Sequence, residues 1–406
     1  MSGNLVSAHN PIRTKRYSTV LVILIGWYVL LCLAHYFNQR PLWNDEECVF
    51  DSVRNFSPQD FFTKPLQRLQ VFPRVYLFLI QKISQNFTFH LLSLRFLPFV
   101  AMISAFFVWV RIASRQSRNS FEHLVFVLSW TSSALLIYYS AELKQYSMDV
   151  FAGAVFLSFL YSQKDWMTAK TIPRRQWIAL VLLPLLGLFS YPAFLFMVFP
   201  FINMALMSRQ NRLYRLPCLA YGGLVLAVVL FSYFFDIRLR PLGVVTEGFG
   251  DYFVSFQSVG EFFKTFGEGT MNLFSRWFAE KPRVVKQIAI FFVPFGMIQL
   301  FYGFFTRVKK ERGYFFSIDT IALALFCELF LLGALKKYPF TVPRTSLFYC
   351  PVVLFLTARG INDLQRLNKY AWWIVNGLYV IFLGSISIAI ARLIFSGDLG
   401  AMPQLW

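Results

Sequence analysis

Acidic residues are scarce in this chain: 20 Asp and Glu stand against 39 Lys and Arg, a net charge of +19. Charge of either sign is also low, 15% of all residues, against roughly a quarter in a soluble domain. That shortage excludes an ordinary water-soluble globule. The five cysteines, Cys32, Cys48, Cys218, Cys327 and Cys350, are scattered. Their spacing offers neither a zinc site nor a disulfide framework. No glycine-rich phosphate loop, paired His–Glu zinc motif or hydrolase elbow occurs, so the chemistries those motifs carry are excluded. Internal repeats and low-complexity tracts are lacking too.

What is abundant is apolar surface. The 406 residues are 57% hydrophobic and 19% aromatic, and apolar runs of about 18 residues or more recur along the length. Lipid leaves the backbone to satisfy its own hydrogen bonds, so such runs predict helices rather than a barrel. The expected fold is an all-α polytopic membrane protein forming a single transmembrane domain over 1–406. About eleven spans are expected, near 18–37, 91–110, 122–139, 147–162, 176–190, 193–207, 216–235, 286–306, 316–335, 345–358 and 371–395. Basic residues precede the first of these, which is too long for a signal segment and lacks a small-residue cleavage site, so it is expected to stay.

The short basic loops "RIASRQSR", "KDWMTAKTIPRR", "SRQNRLYR", "RVKKERG" and "ARGINDLQRLNK" alternate with the spans. The positive-inside rule places them, with the N-terminus, in the cytoplasm. The cationic surplus therefore needs no nucleic acid. Two long loops, 38–90 and 236–284, fall outside, as do "YYSAELKQYS", "KKYPFTVPR" and the C-terminus. Outside here means periplasm, or the endoplasmic reticulum lumen in a eukaryote.

The first outer loop opens with "WNDEECVF", three adjacent acids in an acid-poor chain. Asn44 with Glu47 makes a capping-box-like helix start, and Val49, Val53 and Phe56 then share a helical face. "SPQDFF" reads as a second short helix, with Ser57 as cap and Pro58 at the first position. Phe262, Phe263, Phe266, Phe274, Trp277 and Phe278 give the second long loop a similar interfacial character. Capping and the helix dipole account for one or two of the three acids. A remaining carboxylate at the interface is a candidate proton acceptor for a hydroxyl. Glu142, Lys144, Gln145, Tyr146 and Asp149 cluster at the outer end of two spans, and ionisable groups at membrane depth point to function. Arg344 begins a span after two prolines and offers forked donors that suit phosphate. Lys64, Gln70 and Pro73 form a weaker group, and snorkelling accounts for Arg95 as well as function does.

The order of an Asp–Glu pair after the first span, "KPL…Q…P", "LRFLPF", "SAELKQYSMDVF" and "YPFTVPR…LFYCP" is more specific than its parts. It resembles the membrane glycosyltransferases of the C superfamily, in the branch of the dolichyl-phosphate-mannose protein mannosyltransferases and the lipid A aminoarabinose transferase. The resemblance covers roughly 40–160 and, separately, 336–356. It implies transfer of a sugar from a polyprenyl-phosphate donor to a protein, lipid or glycan acceptor on the outer face, amid membrane lipids. Asp45 would be the catalytic acid, with Glu46 completing the pair. Lys64, Gln70, Glu142, Lys144, Tyr146 and Arg344 would bind substrate and donor phosphate. The family's Glu-x-Arg-x-Tyr reads Glu142, Lys144, Tyr146 here, which keeps the charge and loses the fork. No large soluble C-terminal domain follows, which points away from an oligosaccharyltransferase. No cofactor is expected, and a divalent metal at Asp45 and Glu46 is the less favoured variant. Cations near the leaving phosphate and a base on the opposite side of the sugar predict inversion. A transporter or flippase would show inverted repeats and broken helices, which the sequence lacks. A non-catalytic relative is the third reading.

Overall fold

The structure, a computed structural model, describes residues 15–167, 171–240, 250–278, 283–339, 342 and 344–397. The outward C-terminus expected from the sequence and parts of the second long loop, 241–249 and 279–282, lie outside the described residues.

Among the described residues the regular structure is helical. The first half contains α1 (Lys15–Phe37), α2 (Asn44–Asn55), α3 (Asp60–Thr63), α4 (Arg74–Gln85), α5 (Leu91–Gln116), α6 (Ser120–Thr131), α7 (Ala134–Tyr138) and α8 (Tyr146–Trp166). The second half contains α9 (Arg174–Leu185), α10 (Ala193–Gln210), α11 (Arg215–Phe235), α12 (Val259–Ser275), α13 (Arg283–Glu311), α14 (Ile318–Ala334), α15 (Cys350–Leu367) and α16 (Lys369–Phe395). Starts are set by side-chain caps: Asn119 accepts from the Glu122 amide at 2.8 Å, Ser258 from Glu261 at 3.1 Å, and Asn368 from Tyr370 at 2.9 Å. Each satisfies a donor that the first turn leaves orphaned.

Seven described helices are long and apolar enough to cross a membrane, or eight if the pair at 120–141, bent by 57°, is one span. The sequence-based count of about eleven is not reached, for physical reasons. Helices α9 and α14 have 12 and 17 residues, short of the ~20 that span a bilayer. Helix α8 has 21 but carries Asp149 near one end and Lys164 and Asp165 at the other, which lowers its apolarity.

Helix α15 is the central post. Of its most apolar stretch 83% is buried, against 22% to 44% for the other six long helices. Its Arg359 is fully buried, donates to Glu122 Oε1 at 3.1 Å and is paired with Asp319. A buried cation left alone would be costly, so this triad must stay complete. Next to it, Gly360 allows a backbone crossing: a Cβ there would lie 2.2 Å from the Phe295 carbonyl oxygen of α13.

The segment over 38–90 contributes most of a second, smaller core. Val49, Val53, Phe56, Phe61, Tyr76 and Leu77 are buried together, as the helical face of α2 predicts. Ser57 and Asp60 bond reciprocally at 2.9 and 3.3 Å, but α3 begins at Asp60, two residues later than the proline signal indicates. In the second long loop Phe274, Trp277 and Phe278 are buried while Phe263 is exposed. The described part of this loop therefore packs into the bundle.

Candidate active site

Helix α2 starts one residue earlier than Asn44 as cap implies: the cap position is Trp43. The capping-box acid, three residues after the cap, is therefore Glu46 rather than Glu47. Glu47 is exposed and Glu46 is fully buried. Glu46 Oε2 accepts from Arg40 and from Arg95 Nη2, both at 2.8 Å, and more weakly from the Trp43 amide at 3.4 Å. Its Oε1 accepts from Arg95 Nε at 3.1 Å and the Leu143 amide at 2.7 Å. Arg95 therefore grips Glu46 with a fork, and its Nη1 also donates to the Arg40 carbonyl at 2.7 Å. Arg95 is 2% exposed and does not snorkel. Its partner explains it instead. This clasp ties the start of α2 to α5 and to the turn before α8.

Asp45 faces the other way. Its Oδ2 lies 2.9 Å from Arg344 Nη1 and 3.4 Å from Lys144 Nζ. Lys144 also donates to Gln70 Oε1 at 3.1 Å and lies 5.7 Å from the centre of the Phe72 ring. Burial pulls its ammonium below the ordinary lysine range, with Asp45 and Glu142 opposing the shift. Glu142 is fully buried. One oxygen accepts from the Trp43 indole at 3.2 Å and the other accepts no hydrogen bond from the protein. Burial first, and then the charge of Glu46, push its carboxyl up to about 8. Tyr146 is buried against Tyr139, with ring centres 4.9 Å apart.

The structure thus brings together Asp45, Glu46, Gln70, Glu142, Lys144 and Arg344, with Tyr146 in electrostatic contact with Arg344. Lys64 is not drawn in: it pairs with Asp60 at 2.7 Å on the exposed side of the loop. Arg40 and Trp43 were not singled out by sequence reasoning. An arginine beside a span carries no distinguishing signal, whereas Arg95, a charge inside an apolar run, does.

The carboxylates do not suit a divalent cation. Both oxygens of Glu46 are taken by guanidinium or amide donors, and Asp45 is bound by two cations. Among the described residues no group of three or more His, Cys, Asp or Glu is arranged to hold a metal. The arrangement instead suits an anion. Arg40, Arg95, Lys144 and Arg344 supply four cations against three carboxyls, and Arg344 and Lys144 converge on one point.

No protein-family model matches the chain, and no curated protein is similar to it in sequence. Solved structures do resemble it. ArnT from Cupriavidus metallidurans bound to undecaprenyl phosphate aligns over 95% of this chain and 73% of its own, with 12% identity and a TM-score of 0.51. The Archaeoglobus fulgidus oligosaccharyltransferase in complex with Zn and sulfate aligns over 91% of this chain, at 14% identity and a TM-score of 0.51. The chain spans only about half of that protein, 53% of its length. At identities this low the likeness is one of architecture: the chain shares an all-α membrane fold with these two proteins.

Proposed function

We propose that the protein transfers a single sugar from a polyprenyl-phosphate donor to an acceptor hydroxyl at the non-cytoplasmic face of the membrane. The observation that carries this reading is the sharing of one Asp45 oxygen by Arg344 and Lys144, at 2.9 and 3.4 Å. A base and two phosphate-binding cations then lie within one hydrogen-bond radius. ArnT, which shares the fold, was solved with undecaprenyl phosphate.

The donor phosphate exchanges for Asp45 on Arg344 and Lys144. Asp45, displaced as a free carboxylate, turns to the face of the sugar opposite the phosphate and there takes the proton of the acceptor hydroxyl. The acceptor oxygen bonds to the anomeric carbon while the bond from that carbon to the phosphate oxygen breaks. The leaving polyprenyl phosphate keeps the electron pair, and the two cations stabilise its charge. Attack opposite the leaving group inverts the anomeric centre. Glu46 acts through position: clasped by Arg40 and Arg95, it fixes the first turn of α2 and so the place of Asp45.

The test is transfer from a synthetic polyprenyl-phosphate sugar by the purified protein, with the product anomer read by NMR. Wild type is expected to give the inverted product and Asp45→Asn to lose it. A fully active Asp45→Asn would remove the base assignment, and a wild type that neither binds nor cleaves the donor would overturn the reading.

A further inference from the structure

Lys144 carries an ammonium with three donors on a flexible stem. Asp45 Oδ2 lies 3.4 Å from it and Gln70 Oε1 3.1 Å, which leaves a donor for an anion. Gln70 is thus the partner that remains when Asp45 gives way. The same segment reaches Lys144 again two residues on, where the Phe72 ring centre lies 5.7 Å from the ammonium. What places this segment is the turn just before it, Gln67–Leu69.

The turn is built around Arg68, whose φ of 50° and ψ of 38° lie in the left-handed region. An L side chain there crowds its own backbone, whereas glycine takes the conformation without that cost. Arg68 is held in it from α2. Its Nε pairs with Asp51 at 2.7 Å, and its Nη1 lies 3.9 Å from Cys48 Sγ. To one side the Gln67 amide donates to Ser52 Oγ at 3.0 Å, and to the other Gln70 Nε2 reaches back to the Arg68 carbonyl at 3.5 Å. Cys48 and Ser52 fall three and seven residues after Asp45, on the same helical face. Helix α2 therefore reaches Lys144 twice, directly through Asp45 and indirectly through the turn and Gln70.

We propose that Arg68 is a positioning residue for the transfer reaction proposed above, on which this inference rests. Tied to Asp51, it holds the left-handed turn that aims Gln70 at Lys144, so the ammonium stays in place when the donor phosphate displaces Asp45. A lysine lacks the planar fork that orients a guanidinium, and Gln70 supplies the orientation instead.

Two readouts on the full chain in detergent test it. One is the dissociation constant for sugar-free polyprenyl phosphate, by titration calorimetry. The other is covalent labelling of Lys144 by an amine reagent, read by peptide mass spectrometry. Lys144 is 4% exposed, so wild type is expected to label slowly. Arg68 is about half exposed, so the folded state is expected to survive its substitution. Asp51→Asn and Arg68→Ala each remove the tie and should weaken phosphate binding about fivefold, with faster labelling of Lys144. Arg68→Gly removes the same ion pair but takes the turn at no steric cost. It should stay near wild type in both readouts and should rescue Asp51→Asn when the two are combined. A surface ion pair that only added stability would be lost alike in all these variants. Unchanged phosphate binding in Arg68→Ala, or an Arg68→Gly as impaired as Arg68→Ala, would overturn the inference. A wild type that binds no polyprenyl phosphate would overturn the underlying reaction, and the labelling series alone would then decide whether Arg68 positions Lys144.

Discussion

Asp45 and Arg344, 299 positions apart, are joined Oδ2 to Nη1 at 2.9 Å. Two residues from opposite ends of the chain thereby close one site, and each neutralises the charge of the other. In the proposed reaction Asp45 and the donor phosphate compete for the same cations. Asp45→Asn is expected to bind sugar-free polyprenyl phosphate about fivefold to tenfold more tightly, the effect of roughly 1 kcal/mol of removed competition, while transfer falls by about 10² to 10⁴. Titration calorimetry alongside the transfer assay separates the two. Weaker phosphate binding in the variant would show that Asp45 assists the anion rather than competing with it.

Breaking the clasp should cost stability before it costs chemistry. Glu46→Gln leaves Arg95 and Arg40, 2% and 8% exposed, without a counter-charge. Losing one member of a buried pair costs about 3 to 5 kcal/mol. Thermal unfolding in detergent is expected to show that loss, with Glu46→Leu plus Arg95→Met recovering part of it. A Glu46→Gln protein as stable as wild type would mean that the clasp carries no net energy.

The carboxyl of Glu142 titrates near 8 in the folded chain, against an ordinary value of 4.5. Between those values the folded chain holds a proton that the unfolded chain has released. The contribution of Glu142 to stability therefore falls as pH rises from about 4.5 to about 8 and is flat above. Melting temperature measured across that window should decline in wild type and decline less in Glu142→Gln. Parallel curves for the two proteins would assign the slope to other groups.

Gly360→Ala should disrupt the bundle, because the added carbon meets a main-chain oxygen at 2.2 Å and no side-chain rotation relieves it. Overpacking of this kind costs about 1 to 3 kcal/mol or more. Gly384→Ala, with nothing within 4 Å of its Cβ, is the matched control and should melt like wild type. The two variants compared by thermal scanning decide it.

Much of this was legible in the sequence. Long apolar runs announced membrane helices, and the spacing of Val49, Val53 and Phe56 announced the buried face of α2. Loop alternation put Asp45, Lys144 and Arg344 on one side, and they meet. What stayed hidden depended on tertiary partners. A one-residue shift in helix start, from Asn44 to Trp43 as cap, makes Glu46 rather than Glu47 the capping-box acid. Lys64 belonged to a weaker group, and Asp60, one turn before it, holds it at the surface. Arg40 found its role only because Glu46 folded back onto it. Three expected spans resolved into elements too short or too polar-ended to pass as spans.

The clasp at Glu46 also has a timetable. A chain is made from its N-terminus, and of the partners that hold Glu46, Arg40 precedes it while Arg95 and the Leu143 amide follow. When α2 leaves the ribosome, two of those three do not yet exist. The acid beside it gains a fixed position only after α5 has been inserted and the turn leading into α8 has been synthesised. The first acidic motif to be translated is thus set in place only after later helices have been made.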